Sequence, residues 1–201
     1  MTTFKVKGGI KLKGELHPQG AKNEALQVLC AVLLTPEEII MKNIPDIRDV
    51  NILIDLLRDL NVSVKKHSET SYSFKADKIN INYLSSEAYK IKSSQIRGSI
   101  MIVGPLLARF GKGYIPRPGG DKIGRRRLDT HFIGFENLGA KFVYDSKEEF
   151  YRVTAKELKG SYMLLDEASV TGTANIIMTA VMAKGKTVIY NAACEPYLQQ
   201  L

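Results

Sequence analysis

Three segments of this 201-residue chain repeat one another, and that repeat limits the fold more than anything else in the sequence. Residues 23–43, 97–117 and 171–191 superimpose at an offset of 74 residues each time. Val28, Ile102 and Ile176 then coincide, as do Leu29, Val103 and Ile177, and Leu33, Leu107 and Val181. Each segment reads as an apolar helix of about ten residues, a turn and a short strand. The predicted strands are residues 39–41, 113–115 and 187–190. A second half-unit follows the first two copies. Residues 50–60 and 128–138 read as amphipathic helices, and alternating pairs (62–64 with 72–74, and 141–144 with 150–153) read as hairpins.

The second half-units are offset by 78 residues, so four extra residues lie between Arg117 and Leu128. They fall in a glycine-rich loop, Pro118-Gly119-Gly120-Asp121-Lys122-Ile123-Gly124-Arg125-Arg126-Arg127-Leu128-Asp129. Insertions on a repeat scaffold tend to lie on the surface and to carry function. Glycine lets backbone approach a ligand closely, and guanidinium forks grip phosphate or carboxylate. An acid held among these cations is either a structural counter-ion or a proton-transfer group. In the third copy Leu198 takes the place of Val50, and Leu201 follows shortly after. This predicts a fragment of a longer polypeptide, the alternative being a third unit that is naturally short.

With 44% apolar residues the chain can build a sizeable core. Its longest apolar runs, near residues 25–34 and 99–108, are too short to span a bilayer. The first residues lack the apolar region of a secretory signal, so a cytoplasmic location is expected and no membrane partner. Two cysteines make no disulfide framework, and His17, His67 and His131 have no metal-ligand spacing. The net charge of +8 favours acidic partners. A basic nucleic-acid-binding module is allowed by residues 125–127 with Lys122, but the patch lacks interleaved aromatics or a reading helix.

The repeat places three helix N-termini near residues 22, 96 and 170, where free N–H groups and the helix dipole suit anions. Ser169 and Thr171 there suit capping as well as ligand contact. Lys22 and Arg97 differ, because a cation at a helix start is electrostatically unfavourable and points to a shared anion.

Four motifs in order carry a resemblance that covers about residues 4–196. They are Gly20-Ala21-Lys22-Asn23, Arg97-Gly98-Ser99, the 118–126 loop with Asp129 and His131 after it, and Ala168-Ser169-Val170. Together they resemble the UDP-N-acetylglucosamine 1-carboxyvinyltransferases, a family of enolpyruvyl transferases. The resemblance implies an α/β (α+β) fold of three repeated units, with helices packed inside β-sheets as an inside-out α/β barrel. It implies that residues 1–19 form a strand pair of a second domain of the same polypeptide, and that residues 20–201 are the first domain. It implies transfer of enolpyruvyl from phosphoenolpyruvate to the 3′-hydroxyl of UDP-N-acetylglucosamine, a step of peptidoglycan synthesis. Lys22, Asn23 and Arg126 would then meet phosphoenolpyruvate and phosphate, and Arg97 the sugar nucleotide. Arg126, Arg127, Leu128, Asp129 and Thr130 would edge the uracil. Ser169 and Val170 would hold the diphosphate, with Glu167, where lysine is usual, turned away. Asp121, where cysteine is usual, would be the proton donor. No metal or cofactor is implied, since the cations already balance the phosphates. The alternative within the same fold is the sister enzyme acting on shikimate 3-phosphate.

Overall fold

The computed structural model describes residues 3–115, 127–147 and 150–201. Unit one comprises α1 (Lys22–Ala31), β1 (Glu38–Met41), α2 (Arg48–Asp59), β2 (Ser63–Lys66) and β3 (Tyr72–Lys75). Helix α1 runs on as a 3-10 turn to Leu34 and stops at Thr35. Thr35 precedes Pro36, which bars the helical region to its neighbour, and it is extended with φ −131° and ψ 149°. Between units lie a 3-10 segment (Ile81–Ser85) and α3 (Glu87–Ser93).

Unit two begins with a 3-10 segment (Arg97–Ile102) that becomes α4 (Val103–Phe110), followed by β4 (Lys112–Ile115). The expected helix start near 96 is therefore 3-10 for its first six residues. Pro105 has no N–H to donate to the Met101 carbonyl, and the Gly104 N–H goes to Asn175 Oδ1 instead of the Ile100 carbonyl, so the i→i−4 pattern is interrupted where the 3-10 segment meets α4. The unit continues with α5 (Asp129–Asn137), β5 (Lys141–Asp145) and β6 (Phe150–Thr154). After β7 (Tyr162–Leu164) come α6 (Val170–Ala180), β8 (Val188–Tyr190) and α7 (Pro196–Gln200).

The repeat extends to single backbone angles. After α2, Asn61 is left-handed (φ 68°) and after α5 Gly139 is (φ 97°). In both places the same two bonds close the helix. Asn61 N–H donates to Arg58 C=O (2.8 Å) and Val62 N–H to Leu57 C=O (3.0 Å). Gly139 N–H donates to Glu136 C=O (2.9 Å) and Ala140 N–H to Phe135 C=O (2.9 Å). Residues that tolerate positive φ are what such a helix end requires. Asn43 and Asn191, two repeat lengths apart, are left-handed after β1 and β8 (φ 59° and 55°).

Among the described residues the strands form three separate sheets. Two are antiparallel, ordered β1-β3-β2 and β4-β6-β5, and the third is the parallel pair β7-β8. In the first, Phe74 lies opposite both Ile39 and Val64; in the second, Val153 lies opposite both Gly113 and Phe142. The sheets stand outside and the apolar helices inside, with Leu29, Leu33, Ile102, Leu107, Ala174 and Ile176 fully or almost fully buried. Helix α7 touches both α1 and α6. Helix α6 is buried on most of its surface, in keeping with a sequence that carries no charged residue.

Three features depart from the repeat. Strand β7, α3 and the 3-10 segment 81–85 belong to connectors that differ between units, and periodicity could not reveal them. Val181 is 67% exposed although its counterparts Leu33 and Leu107 are fully buried. In unit one the end of the third strand is tied to this position: Arg109 Nη1 donates to both Leu33 C=O (3.2 Å) and Ala76 C=O (2.7 Å). No hairpin follows α7 within the 201 residues. Residues 3–19 carry no helix or strand, and Phe4, Val6, Ile10, Leu12 and Leu16 are all at least 66% exposed. No helix among the described residues is long and apolar enough to cross a membrane.

Candidate functional site

The starts of α5 and α6 converge with the 3-10 turn that carries Arg97. Helix α6 is capped by Ser169, whose Oγ accepts the Gly172 N–H at 3.2 Å. The cap satisfies only the third amide of the helix. The Val170 and Thr171 N–H groups, first and second in the helix, find no acceptor among the described residues. These two donors sit at the positive end of an eleven-residue helix.

Helix α5 approaches closely because position 172 is glycine. A Cβ there would lie 2.8 Å from Thr130 Cγ2. Thr130, 2% exposed, donates its hydroxyl to Asp166 Oδ1 at 3.0 Å and lies 3.5 Å from Glu167 Oε1. Arg127 Nε donates to Asp129 Oδ2 at 2.9 Å, and Arg127 Nη2 lies 3.5 Å from Asp166 Oδ2. The Asp129 carboxylate beside it holds the Arg127 proton more tightly than usual. Arg97 Nη2 donates to the Arg127 carbonyl at 3.0 Å. Arg97, Arg127, Asp129, Thr130, Ser169 and Val170 are thus drawn together from three elements. Leu128 is half-buried against the core. Glu167 is exposed and turned towards Thr130.

Lys22 and Asn23 stand apart from this cluster. Lys22 opens α1 and pairs with Asp49 in the first turn of α2, Nζ to Oδ2 3.0 Å. Asp49 therefore supplies the counter-charge that a lysine at a helix start lacks. Asn23 is exposed. The two regions are neighbours to the extent that α1 packs against the 3-10 turn bearing Arg97. A cavity of about 300 Å³ opens beside the start of α1, lined by Gly20, Glu24, Val28, Met41, Lys42 and Asn43. None of the clustered residues lines it. Asp121 and Arg126 lie outside the described residues.

Behind the α6 start is a buried polar core that the sequence reading did not assemble. His131, 1% exposed, places Nδ1 3.0 Å from Asn175 Nδ2 and Nε2 3.3 Å from Thr171 Oγ1. Asn175, fully buried, also donates to Ile100 C=O (2.9 Å) and accepts the Gly104 N–H (2.9 Å). Burial, and secondarily the charge of Arg97, pushes the His131 pKa down to about 3, so the ring is neutral at ordinary pH. One signal was visible in the sequence, a lone amide within the apolar run 174–178.

Comparison with known proteins connects this geometry to a family. The chain is 64% identical over 201 residues to a UDP-N-acetylglucosamine 1-carboxyvinyltransferase of Bacteroides fragilis, covering 100% of this chain and 46% of the relative. It is 58% identical, with the same coverage, to one of Porphyromonas gingivalis. The chain spans about half the length of the curated relatives it matches. Its fold is similar to that of the enolpyruvyl transferase NikO from Streptomyces tendae (TM-score 0.78, 15% identity, 96% of this chain and 44% of that one). It is likewise similar to an EPSP synthase from Acinetobacter baumannii (TM-score 0.70, 14% identity, 93% and 42%). The family model described as EPSP synthase (3-phosphoshikimate 1-carboxyvinyltransferase) matches residues 6–201. With three helix-and-sheet units and nearly every residue inside that match, the chain belongs to the EPSP synthase family of enolpyruvyl transferases.

Proposed function

We propose that the polypeptide containing this chain transfers the enolpyruvyl group of phosphoenolpyruvate to the 3′-hydroxyl of UDP-N-acetylglucosamine. The observation that carries the reading is the meeting of the α6 start, with two unpaired N–H donors, and the side chains of Arg97 and Arg127. Such a corner suits a diphosphate. Identity of 58–64% to relatives that bear this activity in their names favours the sugar nucleotide over shikimate 3-phosphate.

In this reading Val170 N–H and Ser169 meet the diphosphate, and Arg97 the sugar nucleotide beside it. Arg126, Arg127, Leu128, Asp129 and Thr130 border the uracil, with Asp129 accepting from its N–H. Lys22, Asn23 and Arg126 hold the phosphate and carboxylate of phosphoenolpyruvate. The sugar oxygen bonds to C2 of phosphoenolpyruvate while the Asp121 carboxyl protonates C3. A proton then returns from C3 to the Asp121 carboxylate, the bond between C2 and the phosphate oxygen breaks, and inorganic phosphate departs, leaving the enol ether. The base for the sugar hydroxyl belongs to a second domain. The uncovered apolar side chains of residues 4–16 support docking of that arm on the second domain. The substrates are metabolites of the cytoplasm, where we place the enzyme.

Binding decides between the two acceptor substrates. Calorimetry should detect UDP-N-acetylglucosamine on this chain in preference to shikimate 3-phosphate, with Arg97→Ala weakening it about tenfold or more. Preference for shikimate 3-phosphate would overturn the reading.

The residue at 121 has its own consequence. The epoxide fosfomycin alkylates the loop cysteine usual in the resembled family, and a carboxylate is a weaker nucleophile than a thiolate. The full-length polypeptide should resist fosfomycin, and Asp121→Cys should make it sensitive. Equal time-dependent inactivation of the two forms would refute this.

A further inference from the structure

We infer that His131 is a positioning residue that turns the Thr171 hydroxyl into a third hydrogen-bond donor for the diphosphate at the start of α6. The inference rests on the function proposed above and concerns the same corner. It follows from tracing protons outward from the buried core.

The orientation of the Asn175 amide is set by two backbone groups. Its Oδ1 accepts the Gly104 N–H and its Nδ2 donates to Ile100 C=O. A flipped amide would oppose donor to donor and acceptor to acceptor at these two places. The second hydrogen on Nδ2 therefore points at His131 Nδ1, 3.0 Å away. Nδ1 must accept, so the neutral ring carries its proton on Nε2. That N–H is directed at Thr171 Oγ1, 3.3 Å away.

The hydroxyl thus receives a hydrogen bond from inside, and its own proton remains to be given. Thr171 is half-buried, and among the described residues His131 is the only partner recorded for its hydroxyl. The proton is available beside the Val170 and Thr171 N–H groups. With the opposite tautomer Thr171 would spend its proton on the ring and present lone pairs to an anion. An amide on α6 that bonds to α4 and to the turn before it therefore sets the polarity of a hydroxyl on the helix's own first turn.

The test combines spectroscopy with a double-mutant cycle. Nitrogen-15 shifts of the His131 ring in the wild-type chain at neutral pH should show Nε2 protonated and Nδ1 bare. Affinity for UDP-N-acetylglucosamine should fall about tenfold in Thr171→Val and about as much in His131→Phe. The double variant should bind no worse than either single one, and His131→Gln, which can both accept and donate, should restore most of the affinity. A proton on Nδ1, additive losses, or full affinity in Thr171→Val would each overturn the inference while leaving the proposed function intact. Failure of the wild-type chain to bind the sugar nucleotide would overturn both. The ring shifts and Thr171→Val decide the matter even if His131→Phe does not fold.

Discussion

Replacing Asn175 by leucine should lower the unfolding free energy by roughly 2–5 kcal/mol, although leucine is similar in size and the site is wholly buried. The amide serves three partners contributed by three elements: Gly104 N–H at the start of α4, Ile100 C=O in the turn before it, and His131 Nδ1 on α5. The Ile100 carbonyl keeps its bond from the Val103 N–H. The Gly104 N–H and His131 Nδ1 lose their partners in the interior, where each orphaned group costs about 1–3 kcal/mol. The added apolar side chain offsets only part of that loss, because it must occupy a space shaped for the amide. Urea denaturation of the two proteins measures the difference. A loss below about 0.5 kcal/mol would mean that the amide is not the hub of the core.

Acid should destabilise this protein earlier than its carboxylates alone would, through His131. Its pKa is about 3 when folded, against about 6.5 in an unfolded chain. Between those values the unfolded state binds a proton that the native state refuses, so stability rises with pH across the window. The contribution is fully present above about pH 6.5 and is lost as pH falls towards 3. At 1.36 kcal/mol per pH unit this amounts to about 3 kcal/mol between pH 7 and pH 4. Carboxylates titrate at the lower end of the same range, so the informative quantity is the difference between wild type and His131→Gln. Denaturation curves taken from pH 7 to pH 4 should converge as pH falls. Curves that stay parallel would show that His131 is protonated in the folded state.

Much of the fold was legible because the repeat is written in apolar spacing. The strands at 39–41, 113–115 and 188–190 and both hairpins lie where alternation and periodicity put them, within a residue or two. The ends of α2 and α5 were equally local, since Asn61 and Gly139 suit the left-handed closure. The start of unit two was harder, because Pro105 and the Asn175 side chain, which takes the Gly104 N–H, interrupt the hydrogen bonds of a run that reads as helix. The four motifs also carried the family resemblance.

The candidate site was only partly legible. Arg97, Arg127, Asp129, Thr130, Ser169 and Val170 were named from their segments, and the fold draws them to one corner. Lys22 was named for its unfavourable position at a helix start, yet Asp49, 27 residues away, answers that charge. Nothing in the spacing of the two residues indicates the pair.

By itself the sequence determined the three-unit architecture and where α1 and α6 begin. Periodicity within one element is enough to decide which side of a helix or strand is buried. Tertiary structure alone decided that Asn175 would reach Gly104, 71 positions earlier, and His131, 44 positions earlier. It thereby decided where the proton on His131 sits. A tautomer is set by whichever groups meet the ring in space, and packing between units brings those groups together from distant parts of the chain.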